Sequence, residues 1–245
     1  MNKQSGISLS EVLVSLFIAG IIMTTLTQFY LTNKHLYLES RAILEARLDV
    51  QWVSDLLGDS IRRAGFTPCL GIEQLQAVDR RESGKPLLAL SSGKSQSLQI
   101  NRMSEAFAEI DSIQNQMQIR VKEPLLFNEH RPVLIADCEH AEVHQIFRVD
   151  KLSKITLITL TQPLMFSYAP PVYVGEWLEE KWFIRSNEQG ADTLHYKLFQ
   201  TEEISPLIHS LQVENQMSHE KQLVKMTFGL DENKKHQFLV AVRGS

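Results

Sequence analysis

The sequence predicts an α+β fold in which one long N-terminal α-helix packs on a head of antiparallel β-sheet. Residues 7–66 contain no proline, and the apolar residues in the second half of this segment recur at helical spacing. From residue 66 onward, short runs with alternating apolar and polar residues are typical of β-strands. A helix followed by strands is characteristic of α+β proteins, with the amphipathic part of the helix covering one sheet face.

Residues 7–31 are predicted to form the membrane-spanning half of the helix. Val12 to Asn33 carries no charge, and this length spans a bilayer core of about 30 Å. Glu11 lies inside the N-terminal end of the segment, where an ionisable group is costly and indicates a function. A secretory signal is cut after its apolar run. Here the expected cut follows Gly6, so the polar leader 1–6 is lost and the apolar helix is kept.

Residues 32–65 are predicted to form the amphipathic half of the same helix. Gly65 follows the last periodic residue, and Arg62 and Arg63 lie in the final turn, as a helix C-terminus favours. One helix of about 85 Å is the simplest interpretation, and a break at Gly20 or near Asn33 is the alternative. The apolar stripe consists of Ile43, Ala46, Val50, Val53, Leu57, Ile61 and Ala64, widened by Leu44, Leu48, Trp52 and Leu56.

Residues 66–245 are predicted to form a β-rich head. We expect turns at Asn187–Asp192 and Asp231–Lys235 and a long polar surface loop at Gly71–Ser97. The candidate strands are Leu98–Asn101, Met117–Lys122, Val133–Ala136, Glu142–Val149, Ile155–Leu160, Val172–Val174, Lys181–Arg185, Leu194–Phe199, Ser210–Glu214, Leu223–Phe228 and Gln237–Val242.

The composition indicates a folded domain with a core. The chain is 43% hydrophobic and 22% charged, which is ordinary for a globular protein and unlike a disordered one. Its net charge is −4, and loss of Lys3 with the leader makes the mature chain more negative. This charge balance argues against general nucleic-acid binding, which uses a clustered positive surface. It does not exclude a local contact with nucleic acid.

The N-terminal residues carry a resemblance to a known family. Gly6-Ile7-Ser8-Leu9-Ser10-Glu11-Val12-Leu13-Val14-Ser15-Leu16 resembles the class III signal of type IV pilins and type II secretion pseudopilins. The resemblance implies that a prepilin peptidase cuts between Gly6 and Ile7 and methylates the new amino terminus on Ile7. It also places Glu11 at the fifth mature position, where the family has its glutamate. The chain departs from the family at Ile7, because the usual first mature residue is phenylalanine.

Glu11 is predicted to act in subunit docking. In the family, the glutamate of an incoming subunit is thought to meet the amine of the preceding one. A carboxylate and an amine attract strongly in an apolar setting, so Glu11 would offset the charge of the Ile7 amine. The alternative is that Glu11 only reaches toward lipid headgroups.

Four patches of the head and helix are similar to landmarks of PilW-like minor pilins. That resemblance implies a long helix, a cysteine after an arginine–alanine–glycine element, and a β-rich head. The patches are Arg62–Cys69, Ala136–Val143, Pro206–Val213 and Phe238–Arg243.

The two cysteines, Cys69 and Cys138, are predicted to form a disulfide. A head on the periplasmic side would lie in an oxidising compartment, where an even cysteine count favours a bond. A bond that closes a loop of about 70 residues would contribute on the order of 4 kcal/mol to the free energy of unfolding. Two unpaired thiols are the alternative.

An enzymatic interpretation has little support in the sequence. Cys138, His140 and His144 suggest a metal site or a nucleophile pair, but Cys138 is more simply paired with Cys69. Phosphate-binding glycine loops, nucleophile elbows and paired-carboxylate motifs are absent from the sequence. We therefore predict no enzyme activity, no metal and no cofactor. Asp137, Glu139 and Glu142 are interpreted as solvated. Tyr168, Tyr173, Trp177 and Trp182 are interpreted as one aromatic cluster that serves packing rather than as a ligand platform.

The resemblance implies a minor pilin that primes assembly of a type IV pilus, with the pilus tip as its candidate location. A type II secretion minor pseudopilin is the nearest alternative, and a singly anchored periplasmic binding or adhesion protein is the alternative from another class. The implied partners are prepilin peptidase, other minor pilins, the major pilin, the inner-membrane assembly machinery and the lipid bilayer. The implied location is the inner membrane of a Gram-negative bacterium, with a periplasmic head, and then the pilus fibre.

Overall fold

The fold is α+β, as the sequence predicts, in a computed structural model of the chain. One α-helix, α1, runs from Leu9 to Arg62 without interruption at Gly20 or Asn33. It ends slightly before the predicted boundary at residue 65. The chain divides into two compact units after Asp49. The structure describes residues 9–81, 85–93, 96–122, 127–152, 155–218, 221–230 and 234–242.

The second unit, from Val50 onward, contains the strands. Among its described residues they are β1 (Gln76–Asp79), β2 (Lys85–Pro86), β3 (Leu90–Gly93), β4 (Ser97–Asn115), β5 (Gln118–Val121), β6 (Pro132–Ala136), β7 (His140–Leu152), β8 (Ile155–Leu160), β9 (Tyr173–Ser186), β10 (Asp192–Lys197), β11 (Thr201–Ser205), β12 (Ser210–Ser218), β13 (Lys221–Gly229) and β14 (Lys235–Ala241).

The prediction of a long surface loop at Gly71–Ser97 is wrong. It contains a 3₁₀ turn at Ile72–Gln74 and strands β1 to β3. Ile72 and Ala89 within it are fully buried. The Ser, Lys and Gly residues of this segment favoured a loop, although Leu87–Leu90 is an unbroken apolar run.

Most predicted strands are present, with different lengths. Leu98–Asn101 lies at the beginning of the 19-residue β4. Val172–Val174 overlaps the start of the single strand β9, which also contains Lys181–Arg185. The turn at Asn187–Asp192 joins β9 to β10 as expected. The turn at Asp231–Lys235 lies between the paired strands β13 and β14, and its residues 231–233 are outside the described residues.

Six strands close into a barrel. Antiparallel pairs join β4 to β5, β5 to β8, β8 to β7, β7 to β6, β6 to β9, and β9 back to β4. Inward-pointing residues of these strands form one buried cluster, which fills the interior, as is usual in small barrels. The members contributed by the strands are Ala108, Ile110, Ile119, Val121, Val133, Ile135, Ile146, Ile158, Leu160 and Val174.

Strand β6 is buried on both faces. Val133 and Ile135 point into the barrel, whereas Leu134 and Ala136 belong to a second core on the opposite face. Alternation of side chains along a strand produces this division. It explains the unbroken apolar run in the sequence, which is typical of a strand covered on both sides.

The second core joins the last turns of α1 to the remaining sheet. Val53, Leu57 and Ile61 are fully buried there, and each contributes about 1.5–3 kcal/mol by leaving water. Their partners include residues of the antiparallel sheet β12-β13-β14, such as Val240, and of the large sheet, such as Trp182. One described pair, β1 with β7, is parallel.

Gly65 redirects the chain after the helix. Its φ of +69° lies in the left-handed region that glycine tolerates best. Its N–H donates to the Asn101 carbonyl at 2.8 Å, and the Met103 N–H donates to the Phe66 carbonyl at 3.0 Å. The chain leaving the helix is thus attached directly to β4.

Candidate functional site

The N-terminal end of α1 carries the predicted docking residue. Glu11 lies in the first described turn of the helix and is exposed. An acidic side chain in a first turn interacts favourably with the helix dipole. The predicted cleavage residues Gly6 and Ile7 lie outside the described residues.

The helix α1, Leu9–Arg62, is long and apolar enough to cross a membrane. An 18-residue window within it has a mean hydropathy of 2.0, and none of that window is buried within the protein. The core helix of a soluble protein with the same composition would be mostly buried. Among the described residues, this apolar surface is exposed.

Polar side chains in this apolar segment bond to the helix's own backbone. The hydroxyl of Ser15 donates to the Val12 carbonyl at 2.8 Å, and that of Thr24 donates to the Gly20 carbonyl at 2.7 Å. Thr25, Thr27 and Asn33 make equivalent bonds one turn back. Internal pairing of this kind lowers the cost of placing these groups in an apolar environment.

The predicted apolar stripe of the helix separates into a buried and an exposed part. Val50 and Val53 are buried in the head, whereas Trp52 is 53% exposed and Leu56 is 37% exposed. The last two side chains are one helical turn apart and lie on one face. Helical spacing placed them in one predicted stripe with the core residues, because spacing alone does not show which part of a wide stripe is covered.

Cys69 and Cys138 form the predicted disulfide. The two Cα atoms are 5.3 Å apart, and 69 residues separate the cysteines in sequence. Both residues are exposed. The bond connects the segment that follows α1 to the turn between β6 and β7.

Asp137 and Glu142 are buried, so their interpretation as solvated residues is wrong. Asp137 is 2% exposed and Glu142 is 0% exposed. Asp137 accepts hydrogen bonds from the backbone N–H groups of Glu139 at 2.8 Å, His140 at 2.6 Å and Ala169 at 3.0 Å. Glu139 is exposed, as expected. A carboxylate that accepts several N–H bonds is stable in the interior.

Glu142 holds residues 161–171 against the barrel. It accepts bonds from the N–H groups of Met165 at 3.0 Å and Phe166 at 2.8 Å and from the Tyr168 hydroxyl at 2.9 Å. The ring of His144 lies 3.0 Å away through Nε2. This role could not be predicted from the local sequence, because Met165, Phe166 and Tyr168 lie more than 20 residues from Glu142.

The environment of these carboxylates shifts their proton affinity. Burial acts to raise the pKa of Glu142, but hydrogen bonds from His144, Phe166, Met165 and Tyr168 outweigh it, and the pKa is lowered. Burial likewise acts against ionisation of Asp137, and three backbone N–H bonds keep its pKa below the ordinary value. Burial and the nearby Glu142 raise the pKa of Tyr168, which keeps its hydroxyl a donor.

The residues of the enzymatic alternative do not meet in a reactive arrangement. Cys138 is bonded to Cys69, so its sulfur is not a thiolate. His144 faces Glu142, and the His140 ring stacks on Phe166 with centroids 4.6 Å apart. Within the described ranges, no three His, Cys, Asp or Glu side chains are grouped so as to hold a metal ion.

The four aromatic residues are packing residues, as predicted, but not one cluster. Trp177 and Trp182 are buried in the core beneath α1. Tyr173 meets Phe107 edge to face at 5.6 Å, and Tyr168 packs against the barrel interior. They form no shared platform for a ligand.

Comparison with known proteins supports the pilin-type N-terminus. Residues 1–27 match the prokaryotic N-terminal methylation motif. No curated protein matches the chain, and no solved structure matches it. The motif supports a type IV pilin-like protein, either a pilin or a pseudopilin, and points to a structural subunit rather than an enzyme. Together with the apolar helix, it fits a singly anchored membrane protein.

Proposed function

We propose that the protein is a minor pilin that primes assembly of a type IV pilus and is located at the pilus tip. The observation that carries the proposal is Glu11 at the start of an uncharged apolar helix, within the matched methylation motif. A simple membrane anchor has no use for a carboxylate at this position, since it makes insertion more costly. Docking onto the amine of a neighbouring subunit gives the carboxylate a function.

In this proposal, prepilin peptidase cleaves after Gly6 and methylates Ile7. The mature subunit then waits in the inner membrane with its head in the periplasm. Glu11 pairs with the terminal amine of another minor pilin or of the major pilin as the inner-membrane machinery adds subunits. Neither charge is left unpaired in the apolar filament core, which would be strongly unfavourable.

The head supports a role in contacts between subunits. Exposed Trp52 and Leu56 offer apolar area on a helix face, and aromatic side chains are enriched in protein interfaces. The head itself is a large unit that extends from Val50 to the end of the chain. A head of this size is easier to accommodate at the end of a filament than between repeated neighbours, which supports a tip location. The PilW-like resemblance is part of this proposal.

Processing provides the direct test of the proposal. We expect the protein extracted from membranes to lack Met1–Gly6 and to carry one methyl group, as measured by intact mass. A Gly6→Arg variant should stay full-length, because the peptidase reads the glycine, whereas the matched control Ser5→Ala should be cleaved normally. Full-length wild-type protein from cells with active peptidase would refute the proposal.

Deletion of the gene distinguishes a pilus from a type II secretion filament. A priming minor pilin should be needed for surface pili, counted by electron microscopy, while protein secretion continues. Normal pili with a loss of secreted proteins would instead establish the pseudopilin alternative.

A further inference from the structure

Strand β14 forms one edge of the three-stranded sheet β12-β13-β14. Among the described residues, it pairs only with β13. The N–H of Val242 donates to the Gln222 carbonyl at 2.9 Å, and that of Leu230 donates to the Lys234 carbonyl at 2.8 Å. Residues that bond to the partner strand alternate along an antiparallel ladder. The even-numbered positions of β14 are therefore the ones that bond to β13.

The odd-numbered positions of β14 direct their backbone groups away from β13. Gln237, Leu239 and Ala241 each present one N–H and one carbonyl on this outer side. All three residues are exposed, and no hydrogen bond from another described residue reaches these backbone groups. Such a row of N–H and carbonyl groups is a template for pairing with another strand.

The other edge strands in the described part of the head have features that hinder pairing. Strands β2 and β3 are only two and four residues long, and β2 contains a proline. Strand β11 contains two glutamates, and on β12 the Leu211 N–H donates to the Gln96 side chain at 3.0 Å. Proteins commonly protect their sheet edges by such means. Strand β14 is seven residues long, without proline or a register shift, and Lys235 at its start is its only lysine or arginine.

Both faces of β14 offer apolar contact to an added strand. Phe238 lies on the face toward the second core and is only partly buried, whereas Leu239 on the opposite face is 54% exposed. The Phe238 ring meets Phe228 edge to face, with the centroids 5.3 Å apart. Side chains of an added strand would alternate between these two faces. Apolar or β-branched residues beside Phe238 and Leu239 would therefore give favourable cross-strand pairs.

The charge of β14 indicates which strand fits its edge. Lys235 is exposed and lies on the same face as Leu239. Strand β14 contains no acidic residue, so a second copy of β14 would add another lysine to the ladder and no carboxylate. An acidic residue opposite Lys235 forms a favourable cross-strand pair instead. A partner strand of a different sequence is therefore the better match.

We propose that the outer edge of β14 binds an extended segment of another protein, which adds a fourth strand antiparallel to β14. This segment has apolar or β-branched residues beside Phe238 and Leu239. It has an acidic residue near its C-terminal end, opposite Lys235. The proposal does not depend on pilus assembly, because the whole edge belongs to the head of one chain.

Peptide binding tests the charge of the partner. The probe is a fluorescein-labelled peptide of eight residues that alternates threonine and valine and ends in two glutamates. The matched control peptide ends in two lysines. Fluorescence anisotropy with the full-length protein in nonionic micelles should show about tenfold tighter binding of the acidic peptide, because attraction replaces repulsion at Lys235. The Lys235→Glu variant should reverse this preference.

The Leu239→Pro variant tests the backbone hydrogen bonds. Proline lacks an N–H, but the Leu239 N–H points away from β13, so the ladder between β13 and β14 keeps its bonds. The affinity for the acidic peptide should fall about tenfold, which corresponds to a lost hydrogen bond. The matched control Leu239→Val keeps the N–H and should bind like the wild type. Near-ultraviolet circular dichroism checks that both variants are folded.

Hydrogen exchange of the wild type gives a measurement that needs no variant. In the free protein, the N–H groups of Leu239 and Ala241 should exchange quickly, whereas those of Phe238 and Val240 should exchange slowly because they bond to β13. The acidic peptide should slow exchange at Leu239 and Ala241. Mass spectrometry with fragmentation to single residues resolves this alternation.

Four results would overturn the proposal. One is the absence of binding by the acidic peptide at millimolar concentration. Another is equal binding of the acidic and basic peptides. The third is binding of the acidic peptide without slower exchange at Leu239 and Ala241. The fourth is self-association of the wild type, measured by sedimentation, that Leu239→Pro abolishes in folded protein, because this would assign the edge to a second copy of the chain.

Discussion

At the scale of single residues, Glu142 illustrates how this head accommodates a buried charge. Desolvation of a carboxylate is expensive, and here donors from the barrel and from residues 161–171 offset it. Because three of these donors lie in one connecting segment, the same bonds that stabilise the charge also fix the path of that segment. Glu142 therefore acts as an attachment point.

The first prediction concerns Glu142→Gln. The amide keeps one acceptor oxygen but presents N–H groups to donors, so we expect the free energy of unfolding at pH 7 to fall by about 1–3 kcal/mol. Thermal unfolding of the full-length protein in micelles, followed by near-ultraviolet circular dichroism, measures this change. Glu139→Gln is the matched control, because Glu139 is exposed, and it should unfold like the wild type.

The second prediction concerns the pH dependence of the same residue. The pKa of Glu142 is lower in the folded protein than in the unfolded chain, so the unfolded chain binds the proton more readily. Its stabilisation is therefore complete above the unfolded-state pKa of about 4 and is lost as the pH falls through the lower folded-state pKa. Acidification below pH 4 should destabilise the wild type more steeply than Glu142→Gln. Parallel unfolding curves for the two proteins across this range would contradict the assignment.

The burial of Glu142 and Asp137 could not be predicted from their neighbours in sequence. Glutamate and aspartate are mostly exposed, so the composition of a short segment favours the solvated interpretation. What buries them is a connection more than 20 residues away, which supplies N–H donors. The proximity of His195 to Glu203 could not be predicted either, because only the pairing of β10 with β11 aligns these two residues.

At the scale of elements, the junction after α1 is defined by Gly65. An added Cβ there would lie 2.8 Å from the Ala89 Cβ and 3.1 Å from the Ile72 Cγ2. The close approach allows the end of the helix, the 3₁₀ turn and β4 to share one core. The sequence analysis identified Gly65 as a helix terminator from its position alone, which is the part of this junction that local rules determine.

The third prediction compares Gly65→Ala with Gly190→Ala. Both glycines have positive φ, +69° and +80°, but a Cβ at Gly190 would meet nothing within 4 Å. Gly190→Ala should therefore cost only the left-handed strain of about 1–2 kcal/mol. Gly65→Ala should lose about 1–3 kcal/mol more, because it also overpacks the junction. Equal melting temperatures for the two variants would show that the close approach is relieved without cost.

The fourth prediction concerns the bond between Cys69 and Cys138. Replacing both residues by alanine should lower the free energy of unfolding by about 4 kcal/mol, because 69 residues are no longer closed into a loop in the unfolded chain. Reductant should lower the melting temperature of the wild type to that of the double variant. The double variant is the control for the reductant, because it has no cysteine and its melting temperature should not change. Reactive thiols in unreduced, denatured wild-type protein would show that the bond is absent.

Local pattern predicted strands well where apolar residues alternate or form an unbroken run, and poorly where strands are short and polar. Strand β8 was predicted with its observed bounds, because it alternates between barrel interior and exterior. Strands β1 to β3 and β11 were missed, since they are short and polar. The barrel itself was not predicted, because closure depends on which distant strands pair, and alternation is the same in an open sheet and a closed one.

At the scale of the whole molecule, the chain has an apolar helical segment, in which Glu11 is the one acidic residue between Leu9 and Asn33, and a large folded head. The helix and its motif were predictable, because length, charge and spacing are local properties of the sequence. A simple membrane anchor and a docking element both need the apolar helix, but only the docking element needs the Glu11 carboxylate. The proposed assembly function therefore depends on Glu11.

The fifth prediction concerns Glu11→Gln. Loss of a carboxylate from an apolar helix should leave cleavage, membrane insertion and the head unchanged. Pilus number should nevertheless fall, because the neighbouring amine would be buried without a partner. Electron microscopy counts the pili, and intact mass confirms processing. Glu39→Gln is the control, since Glu39 lies beyond the uncharged segment. Normal piliation and normal crosslinking to partners in the Glu11→Gln strain would favour the simple membrane anchor.

The closed barrel also determines when, during synthesis, the chain can complete its fold. Strand β9 pairs with both β4 and β6, so the ring stays open until β9 is available. Strand β9 ends at Ser186, about 70 residues after β4 ends at Asn115, which corresponds to roughly 4–14 seconds of synthesis at 5–20 residues per second. During that interval the inward-pointing isoleucines and valines of the earlier strands have no finished interior to enter. A holding chaperone, if one assists this protein, would be needed in those seconds and released once β9 has paired.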